Sequence, residues 1–139
     1  AQVSALQIQP DFGFGLDTTI AYDVPGAAGH EKITELGKGA AIKIMDSQTI
    51  CDYRMVRYMK EIAEKKKLKT QLEILPAGGT DTMGIQRSTP GGSIAGAVSI
   101  PTRHIHQVIE MAHKNDILQS IELLKACIEN LDQYDWSFK

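Results

Sequence analysis

Three groups of residues in this sequence have the types and spacing that could do chemistry. Asp17 lies inside the run FGFGLDTTIAYDV. A carboxylate amid an apolar strand must reach water, find hydrogen bonds or bind a cation, because an unpaired buried charge is too costly. The small residues beside it leave room for a ligand or another polypeptide segment. The alternative is a solvated face on which Asp17 and Asp23 are ordinary surface acids. His104 and His106 form the second group, directly after the apolar run SIAGAVSIP. Sites in α/β proteins gather at such strand ends. In extended backbone both imidazoles of an HxH pair point the same way, which suits a metal; where the backbone turns, only one can face a site. A locally bonded pair at a helix start is the alternative. The third group is the loop Ala77, Gly78, Gly79, Thr80 and Asp81. Free N–H groups at the start of the helix after it could hold a carboxylate or phosphate. Otherwise it is a strand-to-helix turn capped by Thr80 or Asp81. No GK[ST] follows and no GxSxG occurs, so neither a phosphate-binding P-loop nor a serine nucleophile elbow is supported. Cys51 and Cys127 fall on apolar helix faces, which is packing rather than nucleophilic work. His30 and His113 lack companions and read as surface residues.

The elements that must position these groups follow from periodicity. Residues 12–24 read as a long strand, with Phe12, Phe14, Leu16, Ile20, Tyr22 and Val24 on one face and small or acidic residues on the other. A glycine-rich loop over 25–39 leads to a strand over 40–45. Asp46 or Ser47 is then placed to cap a helix over about 48–66, whose inner face carries Cys51, Met55, Met59 and Ile62. A strand over 72–75 precedes the loop at 77–81 and a short helix over about 82–88. Residues 93–100 read as a strand buried on both faces. A helical turn or two is expected after His106. Asn115 caps the last helix, with Ile117, Ile121, Leu124, Ile128 and Leu131 as its core-facing stripe. Strands alternating with helices give a layered α/β architecture.

The chain has 139 residues, 42% hydrophobic and 23% charged, with net charge -2. That size and composition fit one folded unit over residues 1–139. The near balance of charge offers no electrostatic pull toward nucleic acid or an anionic membrane. The longest apolar stretch is about half a membrane span. The opening residues carry no charged-then-apolar leader, and two cysteines make no disulfide framework, so a reducing cytoplasm is the expected compartment.

The order of the segments says more than any one of them. LDTTIAYDVPG, LGKGAAIKIMD, PAGGTDTMGIQ and SIPTRHIHQVIEM succeed one another in a way that resembles the C-terminal part of the tetrahedral, or glutamyl, aminopeptidases. The resemblance runs from about Ala5 to Leu131. It implies a layered mixed sheet with flanking helices, the C-terminal portion of a metallo-aminopeptidase catalytic domain without its inserted β domain. It also implies a peptide substrate and two divalent metal ions, zinc or cobalt, in the complete enzyme. Asp17 stands where the family has a metal-binding aspartate. His106 stands where the family has its last metal ligand, while His104 replaces a tyrosine and is no ligand on this basis. Gly78, Gly79, Thr80 and Asp81 match a loop near the family's substrate cleft.

The resemblance also says what is missing. The family's HxD motif, bridging aspartate and Glu-Glu pair, which includes the general base, precede the matched segment and have no counterpart here. No catalytic residue is therefore expected in this chain, and its metal site is partial or absent when alone. The expectation is a fragment or split subunit, inactive by itself, that associates as a homo-oligomer or with a complementary N-terminal chain. A non-catalytic assembly domain is the second reading. The third is a relative of the cellulases, which needs two carboxylates about 5–9.5 Å apart; Asp17 and Asp23, six residues along one strand, would stand about 20 Å apart.

Overall fold

The computed structural model describes residues 1–138. The elements in chain order are α1 (Gln2–Ile8), β1 (Phe12–Ile20), β2 (Ala40–Met45), α2 (Tyr53–Lys66), β3 (Thr70–Ile74), α3 (Thr82–Arg87), β4 (Ile94–Arg103), β5 (Met111–Ala112) and α4 (Lys114–Glu129). They build a mixed sheet in the order β1, β4, β2, β3, with β5 paired to the end of β4. β1 runs parallel to β4 and β2 parallel to β3, and the two pairs meet antiparallel where Ala41 and Ile42 face Ser99 and Val98. Helices flank this sheet, as the α/β reading requires. Among the described residues no helix is long and apolar enough to cross a membrane.

β4 is the spine. Ala95, Ala97, Val98 and Ser99 are fully buried, because α2 covers one face and α3 approaches the other. Glycines permit both approaches. A Cβ on Gly96 would lie 2.7 Å from Met55 Cγ on α2, and one on Gly13 would lie 2.3 Å from Ile85 Cγ2 on α3. A Cβ on Gly15 would lie 2.2 Å from Thr82 Oγ1. The small residues of β1 thus admit a helix as far as Gly15; the face opens at Asp17, and Thr19 is buried again. The strand runs from Ile94 through Pro101 to Arg103, past the expected end at residue 100.

Three expectations about helices are corrected. α2 begins at Tyr53 and not near 48: Asp52 caps it by accepting from the Arg54 N–H at 2.9 Å. Asp46 is engaged elsewhere, in the turn before it. The segment after His106 forms a turn and the short strand β5 in place of helix. α4 is capped by His113, whose Nδ1 accepts from the Asn115 N–H at 3.2 Å, so Asn115 is not the cap.

The largest correction concerns the buried face of α4. Its inner residues are Asp116, Ser120, Leu123, Ala126 and Cys127. The isoleucines of the expected stripe point outward, with Ile121 54% and Ile128 58% exposed. Asp116 explains the rotation. Its carboxylate, buried, accepts from the N–H groups of Gly37 at 2.7 Å and Gly39 at 2.8 Å, satisfying two donors of the long loop. Tyr58 adds a second tie, donating from its hydroxyl to the Cys127 carbonyl at 2.6 Å. The outward stripe and Leu16, 56% exposed, leave an apolar groove of about 450 Å³, completed by Ile100 and Leu124.

If Asp116 sets the rotation, Asp116→Ala lowers stability by about 2 kcal/mol or more, since two N–H groups lose a charged acceptor. Ile121→Ser should shift it by no more than about 0.5 kcal/mol. Urea unfolding followed by circular dichroism measures both.

Candidate metal and peptide site

A cavity of about 200 Å³ lies where β1, the end of β2 and the loops after β3 and β4 meet. Asp17 and Thr18 of β1 line it, with Lys43 and Asp46, residues 77–80, and Ile105 with His106. Asp17 and His106, remote in sequence, therefore share one cavity. Gly78, Gly79 and Thr80 share it too. Asp81 does not: its carboxylate is exposed and lies 3.8 Å from the Ala1 amino group. The Asp81 side chain makes no cap bond to α3.

Asp17 is solvent-exposed, and its Oδ1 accepts from the Thr18 N–H at 2.8 Å. His106 sits in a turn where both histidines are left-handed, φ 56° at His104 and 65° at His106. Non-glycine residues avoid this region at a cost of about 1–2 kcal/mol each, so the surroundings must hold them there. The His106 N–H donates to Glu110 Oε1 at 2.5 Å, the Gln107 N–H donates to the His104 carbonyl at 3.1 Å, and Arg103 pairs with Met111 across the hairpin. The backbone turns, and of the two histidines only His106 lines the cavity.

Asp23 is not an ordinary surface acid. Its carboxylate takes a bidentate pair from Arg103, Nε at 2.6 Å and Nη2 at 2.9 Å, and accepts from the Leu36 N–H at 2.9 Å. The Arg103 hydrogen bonds hold its pKa below the ordinary 3.8, against the effect of burial. Because Arg103 immediately precedes the histidine turn, this pair fixes the base of that turn. Asp23 is not among the residues lining the cavity.

Sequence reasoning missed the cavity's floor. Lys43 is buried and donates to Glu73 Oε1, while its Nζ lies 3.8 Å from Asp46 Oδ2. Thr19 donates to the same Glu73 oxygen at 2.7 Å. Glu73 and Asp46 are also buried. Among the described residues, Glu73 Oε2 and Ser99 Oγ have no hydrogen-bond partner. One ammonium faces two carboxylates, and Asp17 adds a third at the mouth. The only sequence signal was a lysine inside an otherwise apolar strand. Both cysteines are buried, with thiol pKa values pushed up by desolvation to about 11 at Cys51 and about 12 at Cys127, which matches a packing role.

The donor set can be tested against a metal. An oxygen from Asp17 and an imidazole nitrogen from His106 suit zinc or cobalt. Among the described residues, no group of three or more His, Cys, Asp or Glu could hold an ion. Two such donors do not by themselves close a tetrahedral site.

Substitutions at three positions probe this geometry. The Asp23 pKa is depressed on folding, so its contribution is present above pH 3.8 and lost as the pH falls through the lower folded value. Asp23→Asn should cost about 1 kcal/mol at pH 7 and flatten the acid limb of the stability curve below pH 4, measured by urea midpoints at several pH values. Lys43→Met leaves two buried carboxylates without their cation and should cost about 3–5 kcal/mol. Lys43→Met with Glu73→Leu should recover much of that loss in the same assay.

The sequence pattern of the M42 glutamyl aminopeptidase family matches residues 1–123. A lysyl aminopeptidase of Pyrococcus furiosus is 32% identical over 138 residues, 99% of this chain and 38% of its own length. An aminopeptidase from the archaeon Desulfurococcus kamchatkensis superposes with TM-score 0.89 at 39% identity, covering 93% of this chain and 37% of that one. The TET1 peptidase of Pyrococcus horikoshii, described as assembling into a tetrahedron or a large octahedral shell, superposes with TM-score 0.74 at 27% identity, covering 90% and 35%. The chain spans little more than a third of the length of the relatives it matches. With the fold, the motif order and the family pattern in agreement, the chain belongs to the M42 glutamyl aminopeptidase family.

Proposed function

We propose that this chain is the C-terminal portion of a metal-dependent aminopeptidase that removes N-terminal residues from peptides. One observation carries the reading: Asp17 and His106, the residues that match the family's metal ligands, line the same cavity. Two further features support it. The formal charges around that cavity favour a cation, and left-handed backbone at His106 is the kind of local strain that collects at functional sites. In the complete enzyme Asp17 would supply a hard oxygen donor and His106 an imidazole donor to a pair of divalent ions. Such a pair, when bound, supplies Lewis acidity and a water of lowered pKa. Gly78, Gly79 and Thr80 would border the path of the peptide main chain, and Ile20, Leu75 and Ile105 form the apolar part of the lining.

The chain is inactive alone on this reading. Two ligands do not close a two-metal site, and the family's general base belongs to the portion this chain does not match. A complementary N-terminal segment is the proposed partner, supported by the uncovered groove along Leu16, Ile100, Ile121, Leu124 and Ile128. Assembly into a homo-oligomer, as described for the TET1 relative, is compatible with the same need for cover. The cytoplasm is the proposed compartment, supported by two free, buried cysteines. The groove also favours a second reading, a non-catalytic assembly domain, on which the cavity has no metal to bind.

Zinc and cobalt titrations separate the two. Weak binding that moves the NMR signals of Asp17 and His106, weakened at least tenfold by Asp17→Asn or His106→Gln, is expected. The chain alone should not hydrolyse leucine p-nitroanilide. Binding indifferent to both substitutions would leave the assembly reading in place.

A further inference from the structure

Asp46 is buried in the turn after β2, and both its carboxylate oxygens are engaged. Oδ1 accepts from the N–H groups of Gln48 at 2.9 Å and Thr49 at 2.8 Å. Oδ2 accepts from the N–H and the hydroxyl of Thr80, both at 3.1 Å. One buried side chain therefore joins two segments far apart in sequence, its own turn and the loop that closes the cavity. The turn grips that loop at a second point. The Ser47 N–H donates to the Gly78 carbonyl at 3.2 Å, and the Ser47 hydroxyl donates to the same oxygen. The approach is close: a Cβ on Gly79 would lie 2.9 Å from Gln48 Cδ, so a side chain there would have to displace the end of the Gln48 side chain.

Other roles for Asp46 fit less well. It does not cap α2, which starts at Tyr53 behind its own cap. It is a poor metal donor, since its oxygens already accept four hydrogen bonds and Lys43 stands 3.8 Å from one of them. Its partners are the main chain of its own turn and the residue that ends the two-glycine loop. Without that hold, a loop with a left-handed glycine, φ 65° at Gly78, has many conformations to choose from.

We propose that Asp46 is a positioning residue: it clamps the loop of Gly78, Gly79 and Thr80 against the β2 turn, holding the loop's main chain in place for a peptide crossing the cavity of Asp17 and His106. The peptide in this statement rests on the aminopeptidase reading, while the clamp itself rests on geometry alone.

The test uses the 139-residue chain, amide hydrogen exchange and NMR titration with trialanine. Thr80→Val removes the hydroxyl contacts to Asp46 and to Thr82 Oγ1 while keeping the buried carboxylate, and Thr80→Ser retains both. In Thr80→Val the amides of Gly79 and Thr80 should exchange at least tenfold faster, with Thr80→Ser close to wild type and Ala97 and Val98 of β4 unchanged. Asp46→Asn should speed the same loop amides. Trialanine should move the loop signals of wild type and Thr80→Ser and fail to move those of Thr80→Val. Equal loop exchange in wild type and Thr80→Val overturns the clamp. Trialanine that leaves the wild-type loop unmoved, with the exchange contrast intact, overturns the peptide reading and the purpose assigned to the clamp.

Discussion

A buried lysine organises this molecule. Lys43 sits in a strand otherwise made of alanine, isoleucine and methionine, and its ammonium lies between the carboxylates of Glu73 and Asp46. Desolvating three charged groups costs several kcal/mol each, and well-packed apolar residues would fill the same space at lower free energy. What the charges add is connection. Thr19 of β1 binds Glu73 of β3, Glu73 binds Lys43 of β2, and Asp46 carries the chain on to Thr80. Two walls of the cavity, the strand bearing Asp17 and the loop bearing Gly78 and Gly79, are thereby held by one polar network. Its formal charge is negative, which biases the cavity toward cations before any ligand is considered.

The other wall is held differently. His106 is placed by strain and counter-strain: two left-handed residues in three are tolerated because the Asp23/Arg103 pair fixes the turn on one side and pairing with β5 fixes it on the other. A mobile loop would relax out of that conformation. Held, it brings an imidazole to a cavity whose other walls, β1 and the loop at 77–80, are themselves fixed by hydrogen bonds, which is more reproducible than assembling a site from free loops.

Much of this was legible in the sequence, for identifiable reasons. The continuous apolar run of β4, the glycine-rich connections and the short α3 have patterns with few alternatives. The order of four segments brought Asp17, His106 and the two-glycine loop together before any coordinate did. The floor was illegible because burial of Lys43, Asp46 and Glu73 depends on partners from three separate segments, and periodicity carries no information about partners. Asp46 was placed as a helix cap because an aspartate ahead of an apolar periodic segment normally is one. On α4 two stripes lie side by side, one apolar and one beginning with Asp116 and Ser120. Counting hydrophobes selects the first; satisfying the N–H groups of Gly37 and Gly39 selects the second.

That choice links the apolar groove to the cavity of Asp17 and His106. Leu16 and Asp17 are neighbours on β1, and alternation sends them to opposite faces of the sheet. Leu16 enters the uncovered apolar groove; Asp17 enters the cavity it shares with His106. Among the described residues β1 pairs with no further strand on its side away from β4, where the Ile20 carbonyl at its end accepts from Thr34, so the rest of this edge lies between the groove and the cavity. A segment pairing with that edge would reach both faces at once, laying apolar side chains into the groove and carrying carboxylates or imidazoles toward Asp17. On the proposed reading, completing the fold and completing the metal site are the same event: a partner that only covers the groove, or only adds ligands, leaves an unpaired strand edge exposed.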